Sequence, residues 1–336
     1  MVPMLSAILP VYNERDNLEA LLTRLVPALE ETAGGSFEIL FVDDGSCDGS
    51  AEILDSFHSC DSRLKVIHLS RNFGHQAALQ AGLDAAIGNA VILMDADLQD
   101  PPEMLDEFIE KWRQGYDVVY AVRKKRKEGF LKRTAYAIFY RTLKAISQID
   151  MPLDAGDFCL LERRVVDTLI SLPEHNRFLR GLRSWVGFKQ VGIEYERDAR
   201  HASTPKYTLR KLMHLALSGY VGFSAMPLHA AAWLGLLSAS AGLALVLWVI
   251  MAKLLGIPSP HGWASTLAAI LFVGGVQFLI LGVIGEYLSR VYDEVRQRPV
   301  YIVAAHVGFI NDRAAVPRDN MTDRHVVMAR RNLLDS

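Results

Sequence analysis

Asp95, Asp97 and Asp100 follow directly on an apolar run in the stretch Val91 to Leu105, VILMDADLQDPPEML. A run of that kind reads as a buried strand, and the C-terminal ends of strands in an open α/β sheet are where ligands bind. Side chains alternate along a strand, so Asp95 and Asp97 are expected to point to one side. Two carboxylates held that close repel each other unless a cation lies between them. Hard oxygen ligands select Mg²⁺ or Mn²⁺, which bind through one or two carboxylates and complete their shells with substrate phosphates and water. The simpler alternative is a solvated turn, with Asp100 capping a helix that Pro101 and Pro102 begin.

Three other segments carry polar residues in the same position relative to an apolar run: PVYNE (Pro10 to Glu14), VDDGSCDGS (Val42 to Ser50) and LSRNFGHQ (Leu69 to Gln76). The runs before them, SAILPVY, FEILFVD and LKVIHLS, together with AVILMDA and DVVYAV, read as strands. Helical patterns starting at Asn17, Ser50, His75 and Glu103 lie between them. That alternation predicts βαβ units, a mostly parallel sheet and helices on both faces. In such a sheet the four polar segments meet along one edge and form one crevice. Its acids include Glu14, Asp43, Asp44, Asp48, Asp95, Asp97 and Asp100, so a diphosphate enters only with a cation to screen it. Gly-x-Gly-x-x-Gly and Gly-Lys-Ser/Thr motifs are absent, which argues against a Rossmann dinucleotide site and a P-loop.

Lys and Arg number 36 against 38 Asp and Glu, a net charge of -2 that offers no general attraction to nucleic acid. The three cysteines, Cys47, Cys60 and Cys159, are scattered, which predicts no disulfide framework and a reducing compartment. No basic n-region precedes the first strand, so no secretory signal is expected.

The C-terminal part has a different character. Ala230 to Ala252 and Ala264 to Gly285 contain no charged residue, and each is long enough to cross a bilayer. The reading is a transmembrane hairpin over 227–289, with helices at about 228–252 and 264–286. Lys206, Arg210 and Lys211 precede it and Arg290, Arg296 and Arg298 follow, while the connecting loop has only Lys253. The positive-inside bias then places both termini in the cytoplasm. Two basic amphipathic helices, at about 130–147 and within 201–226, are expected either in the headgroup plane or packed on the α/β core. The resulting divisions are a soluble α/β domain over 1–200, a juxtamembrane helix over 201–226, the hairpin, and a tail over 290–336 that is expected to be partly disordered after Val303.

PVYNE, VDDGSCDGS, LSRNFGHQ, DADLQDPP and DAGDFCLLERRVVD together resemble the polyprenyl-phosphate glycosyltransferases of glycosyltransferase family 2, which include bactoprenol glucosyltransferases and dolichyl-phosphate mannose synthases. The resemblance runs from about residue 4 to 303. It implies a GT-A fold and a hexosyltransferase. It further implies inverting, metal-dependent transfer of one sugar, with UDP-glucose the first guess as donor, to undecaprenyl phosphate at a bacterial inner membrane.

Carried over, Pro10, Tyr12, Glu14, Asp43 and Asp44 line the nucleotide, with Asp95, Ala96, Asp97 and Gln99 beside the diphosphate. Asp95, Asp97 and Gln99 hold Mg²⁺ or Mn²⁺. Asp157 takes the position discussed as the catalytic acid near the sugar, joined by Asp97 and Arg123 as reaction-site residues. Basic residues hold the acceptor phosphate, with Arg123, Lys132, Arg133, Arg200 and Lys206 the candidates. Many relatives carry Arg where Cys159 stands. The Gln-x-x-Arg-Trp motif of processive members is absent, and relatives can be tetrameric. A different lipid acceptor such as diacylglycerol, or a non-catalytic membrane scaffold that keeps the nucleotide site, are the alternatives.

Overall fold

The computed structural model describes residues 3–123, 155–174, 178–195, 226–255 and 262–309. The amphipathic segments at 130–147 and 201–226, and with them Lys132, Arg133, Arg200 and Lys206, lie outside the described residues.

Eight strands form one sheet in the order β7-β5-β6-β4-β1-β2-β3-β8. β1 (Leu5–Val11), β2 (Phe37–Asp43), β3 (Leu64–Leu69) and β4 (Ala90–Leu93) are parallel to their neighbours in this group. They are joined by α1 (Arg15–Ala33), α2 (Ser50–Cys60) and α3 (His75–Ala85). β1 and β2 are buried at every position, because helices cover both faces of the sheet. On one face Leu18, Leu21, Leu25 and Leu29 of α1 meet Leu9, Ile39 and Phe41. On the other, Leu79 and Leu83 of α3 meet Ile8, Leu40 and Val42. Gly82 of α3 sits so close to β1 that an added Cβ would lie 2.3 Å from the Ile8 side chain, which is why a small residue is needed there.

The remaining strands make the sheet mixed. β6 (Ala155–Glu162) runs antiparallel between β4 and β5 (Val118–Arg123), and β7 (Gln190–Tyr195) runs parallel to β5. α4 (Leu105–Arg113) precedes β5, and α5 (Arg163–Ser171) and α6 (Leu179–Trp185) follow β6. Val165, Val166 and Leu169 of α5, with Leu179 and Leu182 of α6, join the α3 side of the core.

Two long helices come next, α7 (Met226–Leu254) and α8 (Trp263–Arg296). They lie side by side, with Gly235 of α7 facing Ile280 of α8. Among the described residues one segment, Phe272–Arg296, is long and apolar enough to cross a membrane, and none of its apolar window is buried.

The stretch from Val303, which the sequence did not mark as an element, opens with a strand. β8 (Val303–Val307) adds to the sheet antiparallel to β3, pairing Val66 with Val307 and His68 with Ala305. Ser70 donates its N–H to the Ile302 carbonyl at 2.9 Å, and the Tyr301 hydroxyl reaches Asp84 at 2.8 Å. This strand is half exposed and pairs with a segment far away in the chain, so neither an apolar run nor a local turn announces it.

Candidate functional site

Three of the polar segments interlock at the C-terminal edge of the parallel strands. Asn13 donates its N–H to Ser46 Oγ at 3.0 Å, Glu14 to Ser50 Oγ at 3.2 Å, and Arg15 to Asp48 Oδ2 at 3.1 Å. In return Cys47 donates its N–H to Asn13 Oδ1 at 2.9 Å. α1 therefore starts without a capping side chain of its own, because the neighbouring segment supplies acceptors for its first turn. Asn13 adopts φ 55, a left-handed conformation that its short polar side chain tolerates. Gly45, at φ 72, has no room for a side chain: a Cβ there would lie 2.7 Å from the Arg71 backbone.

Asp43 and Asp44, expected at the nucleotide, also hold the loops together. Asp44 accepts the N–H groups of Phe73 at 2.7 Å and Gly74 at 2.9 Å, which shapes the turn into α3. Its burial raises the pKa of the carboxyl despite those two donors. Asp43 accepts from Ser46 and from His68 Nδ1 at 3.0 Å, while His68 Nε2 reaches Asp55 at 3.0 Å. Burial works against the charge of Asp43, but His68 and Ser46 outweigh it and bring its pKa below the ordinary value. His68 is raised, first by the hydrogen bond to Asp43.

The sign of that shift gives a test. A histidine whose folded pKa is raised contributes stability that is fully present below about pH 6.5 and is lost as the pH rises through its folded value. The wild-type chain is expected to melt higher than His68→Gln at pH 6, with the gap narrowing towards pH 9. A gap that stays constant with pH would show that the ring is held in its neutral form.

Asp95 and Asp97 do not continue the strand as expected. β4 ends at Leu93, and both acids lie in the turn that follows, so strand alternation does not set their direction. Asp97 Oδ1 instead accepts the Gln99 N–H at 3.2 Å, closing a tight Asx-type turn. Leu98 between them is buried at φ 59, a strained conformation for a branched residue, of the kind that collects at functional sites. Asp100 is buried and accepts the Tyr195 hydroxyl at 2.5 Å, which ties the turn to β7. Ala96 and Pro10 are buried, and Tyr12 is exposed.

Asp157 of β6 comes to the same place. Arg180 of α6 grips it with a two-pronged ion pair, Nε to Oδ1 and Nη2 to Oδ2, both at 2.7 Å. His75, the first residue of α3, stands between the two groups of acids. Its Nε2 is 2.9 Å from Asp95 Oδ1 and its Nδ1 is 3.9 Å from Asp157 Oδ2. Burial opposes the charge on His75, but the bond to Asp95 and the fields of Asp95 and Asp157 prevail and raise its pKa. Asp97 and Asp157 are each 8% exposed. Charges there act through protein rather than bulk water, which strengthens them.

His75 and Arg180 were not among the expected site residues. His75 lies within the LSRNFGHQ segment but had no role assigned to it. Arg180 has no motif around it, and only the packing of α6 brings it to Asp157. Arg123 ends β5, where its backbone is described but its side chain is not. Cys159 is buried in β6, and burial raises the pKa of its thiol. Cys47 and Cys60 are exposed free thiols.

Among the described residues no group of three or more His, Cys, Asp and Glu side chains forms a metal cage. Two carboxylates at one turn nevertheless fit a hard divalent cation that takes its other ligands from phosphate and water.

Residues 6–170 match the family model described as glycosyl transferase family 2. The chain is 48% identical over 309 residues to an uncharacterized glycosyltransferase, YkcC, of Bacillus subtilis (strain 168), covering 92% of this chain and 95% of that one. It is 39% identical to a prophage bactoprenol glucosyl transferase homolog of Escherichia coli (strain K12), over 89% of this chain and 98% of the other. With the SfII prophage-derived bactoprenol glucosyl transferase of Shigella flexneri the identity is 40%, over 89% and 97%. The mixed sheet and the family match agree with the expected GT-A-like α/β fold. With the acids at its strand ends and near full-length similarity to these proteins, the chain belongs to glycosyltransferase family 2 and is a glycosyltransferase.

Proposed function

We propose that the chain transfers one hexose from a nucleotide-sugar, UDP-glucose as first choice, to the phosphate of a polyprenyl phosphate at the cytoplasmic face of a bacterial membrane. The observation that carries this is the meeting of the Asp95–Asp97 turn with the Asp157–Arg180 pair in one acidic crevice. Similarity over nearly the whole length to bactoprenol glucosyl transferases supports the acceptor class.

A phosphate monoester has a second pKa of about 6, so the acceptor is already largely dianionic at neutral pH. It needs little help from a base, but it needs alignment and relief from repulsion by the donor diphosphate. Asp95 and Asp97, with Gln99, would hold Mg²⁺ or Mn²⁺. Bound there, the cation supplies Lewis-acid stabilisation of the departing nucleotide diphosphate. Tyr12, Glu14, Asp43 and Asp44 lie along the edge where the nucleotide would rest. Asp157, held by both prongs of Arg180, orients the sugar or the incoming phosphate rather than removing a proton. Arg123, with Lys132, Arg133, Arg200 and Lys206, would receive the acceptor phosphate. Direct attack on the anomeric carbon inverts it, so an α-linked donor gives a β-linked product.

The location follows from the acceptor, whose phosphate lies at headgroup level while its tail stays in the bilayer. The apolar α8 segment with its outer surface uncovered supports an anchor, and we read α7 and α8 together as a transmembrane hairpin.

The test is label transfer by the detergent-purified protein, from a panel of UDP- and GDP-sugars to undecaprenyl phosphate, with Mn²⁺, Mg²⁺ or EDTA. Transfer from UDP-glucose that EDTA abolishes is the expected result. Transfer to diacylglycerol in place of the polyprenyl phosphate would overturn the acceptor. Transfer that persists in EDTA would overturn the metal.

A further inference from the structure

Hydrogen-bonding groups line up behind His75 in a fixed order. The Leu179 N–H, at the start of α6, donates to Gln76 Oε1 at 3.1 Å. A backbone N–H can only donate, so this bond sets which end of the Gln76 amide faces α6 and turns the nitrogen towards His75. Gln76 Nε2 lies 3.4 Å from His75 Nδ1. On the other side of the ring, Nε2 is 2.9 Å from Asp95 Oδ1.

The proton on Nε2 follows from this order. An amide nitrogen cannot accept, so a neutral ring meets it with a bare Nδ1 and carries its proton on Nε2. A charged ring carries protons on both nitrogens, with Asp157 Oδ2 3.9 Å from Nδ1. In both states an N–H points at Asp95. One oxygen of a carboxylate held this way fixes the plane, and so the direction, of the other. α6 also carries Arg180, which grips Asp157. With the ring neutral the helix therefore places Asp157 directly and Asp95 through Gln76 and His75. A protonated Nδ1 cannot accept from Gln76 and leaves only the bond to Asp95.

We propose that His75 is a positioning residue that orients the Asp95 carboxylate for a divalent cation, and that Gln76 couples this orientation to α6. The inference rests on the metal reading given above. Outer partners that orient metal-binding carboxylates change metal affinity by about 10- to 100-fold when removed.

The experiment is Mn²⁺ binding in the presence of UDP, followed by electron paramagnetic resonance on the detergent-solubilised full chain. His75→Ala is expected to weaken Mn²⁺ binding by about 10- to 100-fold. His75→Gln restores most of it, because its amide nitrogen reaches the place of the ring Nε2. His75→Asn, whose amide ends near the place of Nδ1, does not. Gln76→Leu weakens binding in the same direction by a smaller factor. UDP binding in EDTA is expected to be alike in all of them.

If His75→Ala does not fold, the Gln and Asn variants decide, and equal Mn²⁺ affinity in those two overturns the proposal. Wild-type affinity in His75→Ala overturns it as well. In that case a loss of Mn²⁺ in Asp95→Asn would leave the metal reading standing. Absence of Mn²⁺ binding by the wild-type chain with UDP would overturn both.

Discussion

Asp97→Asn is expected to lower kcat for sugar transfer by on the order of 10³-fold while leaving the melting temperature within a few degrees of wild type. The two effects separate because of how Asp97 is held. Its Oδ1 accepts the Gln99 N–H, and an asparagine carbonyl oxygen can accept the same bond. The turn around Leu98 therefore keeps its shape, and what disappears is one negative charge at a site 8% open to solvent. With that charge gone, neither a divalent cation nor the diphosphate beside it is held as before. Steady-state kinetics at saturating donor, with a parallel thermal melt, make the measurement. Activity within tenfold of wild type would remove Asp97 from the proposed site.

The second large effect is expected from Arg180→Met. This substitution keeps most of the side-chain volume but leaves Asp157 in its enclosed position without its two-pronged partner. A carboxylate stranded in this way costs about 1–3 kcal/mol of stability, towards the lower end because Arg180 is one-third exposed. The loss of kcat is expected to be about 10²-fold, because Asp157 is then free to turn away from the reacting groups. Asp157→Asn on its own should also reduce transfer. If the two act as a unit, the double variant is little worse than the poorer single one, with a coupling of about 0.5–3 kcal/mol in a double-mutant cycle. Strictly additive losses would show that Arg180 and Asp157 serve the reaction separately.

The parts of the fold readable from sequence are those whose physics is local. β1, β2 and β4 are buried at every position because helices cover both sides, and a mainly apolar run between polar turns marks such a strand. α3 begins at His75 as expected, where Gly74 at φ 98 turns the chain into the helix. β7 and β8 were not foreseen. Their side chains are partly exposed, and β8 pairs only with a strand from the first quarter of the chain. The antiparallel insertion of β6 between β4 and β5 is likewise a matter of tertiary pairing, which no local pattern encodes.

The site divides along the same line. The acids after β2 and β4 were visible because a charge following an apolar run stands out, whereas Asp157, inside β6, was named only through the family resemblance. The groups that pair with them were not visible, since Arg180 meets Asp157, and Gln76 meets Leu179, only once α6 has packed beside α3. The expectation that Asp95 and Asp97 share a strand face failed because β4 is shorter than its apolar run, ending one residue before Met94. Asp44 shows the reverse case. An acid read as lining a ligand proves to be bonded to the backbone of Phe73 and Gly74, so composition alone could not separate its two uses.

The antiparallel pairing of β8 with β3 also bears on how the protein is made. A chain leaving the ribosome has built Leu64–Leu69 long before Val303–Val307 exists, and the whole of α8 emerges in between. Until then β3 is the outer rim of the sheet, a row of unpaired amides and carbonyls open to any other extended chain. If α7 and α8 enter the bilayer as they emerge, the last strand can dock only on a domain already held at the membrane. Correct tethering then becomes a condition for sealing that rim, and chains that stop short of β8 are left with the sticky edge that quality-control proteases and aggregation both exploit.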